Sequence, residues 1–280
     1  MNINIKDIAG FCELIKSLNN EKDIIEKFLD YGIKVLECDG GTFFTLNERK
    51  RMMSFDIVKG KNSEELSGVS FPYTGIVGWV AEMKKDILVK DTSNNPLFTK
   101  KVDYATGYST KSVIAVMLSY GKDIFGITEF INPVKKEHFD EDDFDLIKLL
   151  SVLVSLSLYI RRIESTIVEI NNRFSSTINN LSGGFIGIDN NGIIIFFNPR
   201  AREIFGIDKD FLGKDYKELP DIMYQIKKIL SESKNGKLVK RAEFICKIGS
   251  MDKKIGYSTI TLKGVDSSII GSAVIFQDIT

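Results

Sequence analysis

Residues 149–181, LLSVLVSLSLYIRRIESTIVEINNRFSSTINNL, give the clearest periodic signal in the chain. Ten positions recur there in alternating steps of four and three, and nine of them are apolar: Leu149, Leu153, Leu156, Ile160, Ile163, Ile167, Ile170, Phe174, Thr177 and Leu181. This spacing is the heptad pattern of coiled coils, and neither proline nor glycine interrupts it. We call these ten positions the seam. They predict a helix of about 33 residues, roughly 50 Å long, that pairs with a second copy of itself.

Charged residues lie beside the seam rather than on it. Arg161, Arg162, Glu164, Glu169 and Arg173 are placed to form charge pairs along the edges of a two-stranded coil. The alternative is a core helix of one globular domain, which a strict repeat of this length disfavours. Thr177, the polar member of the seam, is either a weak point used in signalling or a frayed helix end.

The composition is that of a soluble protein with two ordinary domains. The 280 residues are 43% apolar and 27% charged, and 38 basic residues balance 38 acidic ones. A balanced charge disfavours direct binding to nucleic acid or to an anionic membrane. No window approaches the roughly 18 apolar residues of a membrane span, and the N-terminus lacks a secretory pattern. We expect a cytoplasmic protein.

The residues that usually carry catalysis or bind metals are scarce. Cys12, Cys38 and Cys246 are far apart, which predicts neither a zinc site nor a disulfide framework and fits a reducing compartment. His138, the single histidine, lies in the charged stretch VKKEHFDEDD and is expected to be solvated. Neither GxxxxGK[ST], GxSxG nor HExxH occurs in the sequence. We therefore expect no catalytic activity and no metal site in this chain.

On the N-terminal side of the seam, residues 1–148 combine helices and strands. Two amphipathic helices are predicted first, followed by strands at TFFTL, MSFDIV, DILVKD, SVIAVMLSY and DIFGITEFIN. A sheet flanked by helices at both ends indicates an α+β domain.

On the C-terminal side, residues 182–280 return to strand signals. The stretch FIGIDNNGIIIFF predicts a hairpin, since Asn191-Gly192 is a strong turn signal. Two short helical faces follow, and then strands at EFICKIG, GYSTITLKG and IIGSAVIFQD. The chain stops on VIFQDIT, a strand that runs into a turn or a helix cap, and we expect an effector that is absent from this chain or supplied in trans.

Residues 176–280 resemble a PAS domain. The resemblance rests on the hairpin GGFIGIDNNGIIIFFNPRAREIFG, the helix after Asn198, Gly213 before the middle helices, and the closing QDIT. It implies that Asp278 and Thr280 form the junction between the last strand and an output helix. It also implies an apolar interior lined by Phe185, Ile188, Ile195, Phe197, Ile204, Phe205, Phe244 and Ile260.

We favour an interior filled by these side chains over one that holds a ligand. The segment has no histidine, which disfavours histidine-ligated haem, and Cys246 lacks the surrounding motif of cysteinyl-flavin photoreceptors. Asn198 is predicted to cap the helix that begins at Pro199.

Residues 7–159 resemble a GAF domain, on the stretches GIVGWVAEMKKDILVKDTSNNPLF and IFGITEFINP with FDEDDFDLIKLLSVLVSLSL. That family binds ligands between its sheet and the covering helices and loops, which makes candidates of Phe43, Thr45, Trp79, Asp91, Thr92, Ser112 and Glu129. Phe43 and Trp79 are placed to stack on a planar ligand, and Asp91 and Thr92 to bond its polar edge. The alternative, which we favour, is that both rings are core residues and Asp91 caps a turn.

GAF domains that bind cyclic nucleotides carry an Asn-Lys pair, then a Phe, then Asp-Glu. Here Asn132 is followed by Pro133, Lys135 comes later, and Phe139 precedes Asp143-Phe144. The pattern is only partly present, which argues against cyclic nucleotide binding.

The sequence thus predicts an α+β protein with two antiparallel-sheet sensor domains joined by a long coiled-coil signalling helix. The boundaries are 1–148 for GAF, 149–181 for the helix and 182–280 for PAS. Such tandems resemble the input halves of bacterial histidine kinases, diguanylate cyclases and enhancer-binding transcription activators. We expect a homodimeric sensory module with an unknown small-molecule ligand and cofactor, which controls an effector such as a histidine kinase. The alternatives are a stand-alone adaptor with filled pockets, and an enzyme whose turnover depends on Asp91 or Glu129.

Overall fold

The structure is a computed structural model that describes residues 5–60, 68–99 and 109–280. The chain divides into two compact units, Met1–Thr166 and Ile167–Thr280. Each unit has its own sheet and its own apolar core. The division falls within one long helix, at the place where the heptad pattern predicted a continuous helix.

The first unit is a six-stranded sheet with helices, counted over its described residues. Its strands pair antiparallel in the order β3-β2-β1-β6-β5-β4. The elements are α1 (Ile5–Ser17), α2 (Glu21–Leu36), β1 (Cys38–Asn47), β2 (Met52–Gly60), β3 (Ser70–Pro72), α3 (Gly75–Met83), β4 (Ile87–Val89), β5 (Val113–Tyr120), β6 (Asp123–Pro133) and α4 (Glu141–Asn179).

Each face of this sheet has its own apolar cluster. On the first face, α1, α2 and α4 pack around Phe28, Phe130 and Leu150, all fully buried. On the second face, α3 packs against Phe44, Phe55 and Ile127. The two clusters follow from alternation, because neighbouring residues of a strand point to opposite faces of the sheet.

The long helix α4 has two different apolar faces in its first half. Ile147, Leu150, Val154 and Leu158 are buried in the core of the first unit. The seam residues lie on another side of the helix and are largely exposed, from Leu149 (52%) to Ile167 (52%) and Ile170 (59%). The seam is therefore not the core face of α4, which removes the core-helix explanation of the heptad pattern.

The predicted limits of this helix require a correction. It begins at Glu141, eight residues before the seam, and ends at Asn179. Leu181 was expected to be the last seam residue but lies beyond the helix. The chain must turn here to enter the next strand, and the Asn180 side chain donates to the carbonyl of Ser176 (2.9 Å) at the helix end.

The second unit is a five-stranded antiparallel sheet in the described residues, with strand order β8-β7-β11-β10-β9. Short helices cover one face. The elements are β7 (Gly184–Asp189), β8 (Ile194–Phe197), α5 (Pro199–Phe205), two 3-10 turns (Tyr216–Glu218 and Asp221–Met223), α6 (Tyr224–Lys234), β9 (Ala242–Ile248), β10 (Met251–Lys263) and β11 (Ile269–Asp278).

The structure confirms the mixed α and β architecture with two antiparallel sheets. Among the described residues no helix is both long and apolar enough to cross a membrane. Over the same part of the chain, no three His, Cys, Asp or Glu side chains come together as a metal site would require.

Candidate functional site

Glu129 places a carboxylate on the second face of the first sheet. It pairs with Thr42 on β1 and with Ala115 on β5, so these three residues form a row across the sheet. The next rows on the same face contain the apolar residues Ile127 and Ile131. Glu129 is half-buried in this apolar setting, and α3 packs on the same strands. We call this region the Glu129 face.

Only part of the predicted ligand set lies on this face. Trp79, on α3, is half-buried and packs against the second cluster, on the same side of the sheet as Glu129. Phe43 belongs to the first cluster instead, and strand alternation places Thr45 with it. The idea that Phe43 and Trp79 stack on one ligand is wrong, because the sheet lies between them.

Thr92 and Ser112 brace backbone rather than face a cavity. Thr92 donates its hydroxyl to the carbonyl of Thr110 (2.5 Å) and its amide to the carbonyl of Lys111 (2.9 Å). Ser112 is fully buried, donates to the carbonyl of Val89 (3.1 Å) and accepts from the amide of Phe139 (3.1 Å). These bonds tie the loop after β4 to the start of β5.

Asp91 forms a local turn with Ser93. Its carboxylate accepts from the Ser93 amide (2.9 Å) and hydroxyl (2.8 Å), and these bonds hold its pKa below the ordinary value. This is the turn-capping role that sequence reasoning weighed as the alternative. Asp91 is exposed, and its two hydrogen bonds with Ser93 explain the presence of a carboxylate here without a ligand.

Asn132, a residue of the partial nucleotide motif, organises the same corner of the first unit. Its backbone has a positive φ of 53°, a conformation that asparagine tolerates better than most residues. Its side-chain oxygen accepts from the amides of Lys111 (2.7 Å) and Ser112 (3.3 Å), and its nitrogen donates to the carbonyl of Ser109 (2.8 Å). Asn132 therefore anchors the segment that leads into β5.

The other residues of that motif form a second brace, at the start of α4. Asp143 is fully buried, pairs with the ammonium of Lys136 and accepts from the amide of Asp140 (3.0 Å). Asp140 accepts in return from the amide of Asp143 (3.0 Å) and pairs with Lys136 (2.7 Å). We call this group the Lys136–Asp143 brace.

The lysine of this brace is Lys136 and not Lys135, the lysine that the sequence analysis compared with the motif. Lys135 pairs with Glu37 (2.6 Å) on the surface, whereas the neighbouring Lys136 reaches Asp143. Phe139, which lies between Lys136 and Asp143 in the sequence, is fully buried.

Two other residues noted in the sequence have simple explanations. His138 is exposed, as predicted. Burial raises the pKa of the Cys38 thiol to about 12, which leaves that cysteine unreactive at neutral pH.

The second unit uses five of its eight predicted interior residues in its core. Ile188, Phe197, Ile204 and Phe205 are buried there, and Phe244 packs against them half-buried. Three residues lie outside this core cluster: Phe185, which is buried on the opposite face of the sheet, Ile195 and Ile260.

Strand alternation explains these three corrections. Phe185 and Ile188 differ by an odd number of positions, so one strand cannot point both inward, and Ile186 fills the core instead. Ile195 sits where the β7–β8 register shifts. On β10, Ile255 and Tyr257 face the core, which places Ile260 on the opposite face. On that outer face the Phe196 ring contacts Phe185 (centroids 5.8 Å apart) and Phe174 of α4 (5.3 Å).

An open groove of about 510 Å³ lies on the surface of the second unit between Tyr216 and Tyr224. Sequence reasoning did not identify it. The ammonium of Lys227 in its wall is paired with Asp221 (3.1 Å), and Glu232 is paired with Lys237 (2.8 Å). The groove therefore carries charges of both signs, with Lys217 and Lys228 as further lysines in its wall.

The predicted signal junction is a compact polar cluster at the end of β11. One oxygen of Asp278 accepts from the Thr280 hydroxyl (2.6 Å) and amide (3.1 Å), and the other pairs with Lys253 (3.0 Å). The Thr280 hydroxyl accepts in turn from the amide of Lys254 (3.0 Å). Together these bonds hold the pKa of Asp278 down at about 2, with the Thr280 hydroxyl as the largest cause.

Comparison with protein families agrees with the two units. The GAF domain family matches residues 20–158, and the PAS fold family matches residues 172–237. The chain carries a GAF domain followed by a PAS domain. Both are sensory domains of signal-transduction proteins.

Curated relatives of the chain include GAF-containing phosphodiesterases. The cone cGMP-specific 3',5'-cyclic phosphodiesterase subunit alpha' of Mus musculus is 36% identical over 91 residues, which cover 32% of this chain. The dual 3',5'-cyclic-AMP and -GMP phosphodiesterase 11A of Takifugu rubripes is 29% identical over 155 residues, or 50% of this chain. The matched regions span only 11% and 17% of those proteins.

Solved structures share the fold at low identity. The GAF domain from a phosphoenolpyruvate-protein phosphotransferase of Coxiella burnetii aligns with a TM-score of 0.51 at 14% identity, over 58% of this chain and 96% of that one. The E. coli DhaR(N)-DhaL complex contains a chain that aligns with the same score and identity over 97% of this chain and 87% of its own. The second likeness spans both domains.

The Lys136–Asp143 brace predicts unequal effects of two adjacent lysines. Lys136→Ala leaves a buried carboxylate without its cation and is expected to lower the free energy of unfolding of the GAF domain by about 2 kcal/mol. Lys135→Ala removes only an exposed pair and should cost no more than about 0.5 kcal/mol. Urea unfolding of both variants measures this, and equal losses would show that the brace does not stabilise the domain.

The junction predicts a pH-dependent contribution from Asp278. A folded-state pKa of about 2 lies below the unfolded value of roughly 3.9, so its stabilisation is present above pH 4 and is lost as the pH falls through 2. Asp278→Asn should therefore lower the melting temperature at pH 6, and the gap to the wild type should close between about pH 4 and 2. Thermal unfolding at these pH values measures the difference in melting temperature between the variant and the wild type. A difference that stays constant from pH 6 to pH 2 contradicts this expectation.

Proposed function

We propose that this chain is a dimeric sensory module in which α4 connects a ligand-binding GAF domain to a PAS domain and to an effector. The observation that carries the proposal is the exposed seam. Leu149, Ile160, Ile163, Ile167 and Ile170 are each 40% exposed or more, in a row along one helix. Large apolar patches of this kind mark interaction sites, and the heptad spacing selects a second α4 as the partner.

The arrangement of α4 supports a relay. The first half of the helix is held to the GAF domain by its buried face and by Arg161, which donates to the carbonyl of Lys16 (2.8 Å). The Arg162 guanidinium lies over the Phe125 ring, 4.4 Å from its centroid. A change in the GAF domain therefore acts on α4 directly, and packed helix pairs have discrete alternative arrangements.

The ligand site of this proposal is the Glu129 face. Among the described residues it combines apolar side chains, the half-buried Trp79 and the carboxylate of Glu129, and apolar side chains with few polar groups are the usual make-up of a small-molecule site. The likeness to cGMP-specific and dual-specificity phosphodiesterases makes cGMP and cAMP the first ligands to test. The altered Asn-Lys pattern argues against them, so an unrelated small molecule is the second choice.

The class of the effector is inferred by analogy with other sensory tandems. A histidine kinase is the first candidate, because the ending GYSTITLKGVDSSIIGSAVIFQDIT resembles PAS segments that precede kinase dimerisation helices. A diguanylate cyclase or an enhancer-binding activator is the alternative. The rival from another class is a stand-alone dimeric scaffold whose GAF and PAS interiors are both filled.

The seam predicts a specific effect on assembly. Ile167→Asp buries a charge in the proposed interface and should raise the dimer dissociation constant at least 100-fold, or about 3 kcal/mol. Val168→Asp is the matched control, because Val168 is also exposed but lies off the seam. Sedimentation velocity at micromolar concentration distinguishes the two. An unchanged mass for Ile167→Asp contradicts pairing through the seam.

The ligand proposal is tested by native mass spectrometry of the purified dimer, alone and after addition of cGMP or cAMP. We expect an extra mass that disappears on denaturation and that Glu129→Gln diminishes at least tenfold. Asp91→Asn, at an exposed turn, should leave it unchanged. A dimer that carries no extra mass under any of these conditions favours the stand-alone scaffold. An extra mass that Glu129→Gln does not reduce means that the ligand binds outside the Glu129 face.

A further inference from the structure

Asn198 is fully buried, and its amide makes every hydrogen bond that an asparagine side chain can make. Its oxygen accepts from the amides of Phe185 (2.8 Å) and Ala201 (2.9 Å). Its nitrogen donates to the carbonyls of Ile178 (3.1 Å) and Gly183 (3.0 Å). The sequence predicted only one of these bonds, the one that caps α5.

These four bonds join four different segments of the chain. Ile178 lies in the last turn of α4, whose carbonyls have no partner within the helix. Gly183 belongs to the connection that follows, Phe185 is the second residue of β7, and Ala201 lies in the first turn of α5. The backbone N–H of Asn198 also donates to the carbonyl of Phe185 (3.1 Å), and this bond fixes the Asn198 backbone against β7.

Capping α5 requires only the acceptor half of this side chain. Serine, threonine or aspartate supplies such an acceptor equally well. The donor half serves the end of α4 and the connection to β7 instead. A buried donor pair on two carbonyls at 3.0 and 3.1 Å is a specific geometric requirement that the cap does not explain.

The connection leads directly to the last strand. Gly184 pairs with Phe276 of β11, and a Cβ on Gly183 would lie 2.7 Å from the Phe276 carbonyl oxygen. Phe276 is two residues before Asp278 of the junction. A displacement at Ile178 therefore has a short path through Asn198 and the Gly183-Gly184 backbone to the C-terminal end of the sheet.

We propose that Asn198 is a positioning residue that fixes the end of α4 to the PAS domain, so that movement of the helix is transmitted to β7 and β11. The coupling uses contacts within one chain and does not depend on pairing through the seam. Arg200, which donates to the carbonyl of Ser182 (3.3 Å) from the surface, supports the same connection from outside.

The test is Asn198→Asp in the full chain, followed by hydrogen exchange and mass spectrometry. Aspartate keeps both acceptor bonds but replaces two donors with a carboxylate that repels the Ile178 and Gly183 carbonyls. We expect amides in residues 170–183 to exchange at least tenfold faster, while those of β10 change less than twofold. Asn190→Asp is the matched control, since the exposed Asn190 also donates to a carbonyl, that of Ile269 (2.7 Å).

A second variant covers the case in which the aspartate does not fold. Asn198→Ser keeps a cap acceptor for Ala201 but is too short to hold both carbonyls, and it should loosen residues 170–183 in the same selective way. The proposal is overturned if the folded variants exchange like the wild type in that segment. It is also overturned if they loosen the whole PAS domain uniformly, since that outcome describes a structural core residue.

Discussion

The rest of the structure depends on the two-faced character of α4. Burial of Ile147, Leu150, Val154 and Leu158 in the GAF core fixes the rotation of the helix about its own axis. Once that rotation is fixed, the seam at Leu149, Leu156, Ile160 and Ile163 must point away from the core, because it lies on another side of the same helix. A single helix thus carries an intramolecular packing face and an exposed apolar row, and the second follows from the first.

The polar corner around Asn132 serves the same end. The Lys136–Asp143 brace sets the first turn of α4, and the Phe139 amide is held by Ser112, which belongs to the segment before β5. Asn132 holds that segment from the other side. The residues that resemble part of a nucleotide-binding motif therefore connect the sheet to the start of α4. Such a connection ties the position of the start of α4 to the sheet.

Sequence patterns predicted the elements well and the facing of individual residues poorly. The heptad seam and the Asn191-Gly192 hairpin have strong local signals, and the two antiparallel sheets follow from strand runs that the sequence shows directly. The errors at Phe43, Phe185 and Ile260 share one cause: each residue is apolar and lies in a strand, but a one-position error in the register reverses the face it occupies. Ile195 could not be placed, because the register shift between β7 and β8 has no clear mark in the sequence. The roles of Asn132 and Asn198 were underestimated for another reason, since the partners that the sequence did not predict are backbone groups 13 to 23 positions away along the chain.

Asn198 also offers the proposed signal a route across the PAS domain. The PAS core packs its own side chains, such as Ile186, Phe205 and Phe276, around α5 and β11. Such a core is stiff, because protein interiors are close-packed and respond to displacement as a body. Under those conditions a buried side chain that bonds the end of α4 to the sheet moves the sheet when the helix moves, and no ligand is needed in the PAS interior. Sensing can then reside in the GAF domain, while the PAS domain carries the displacement from α4 to the cluster around Asp278 and Thr280.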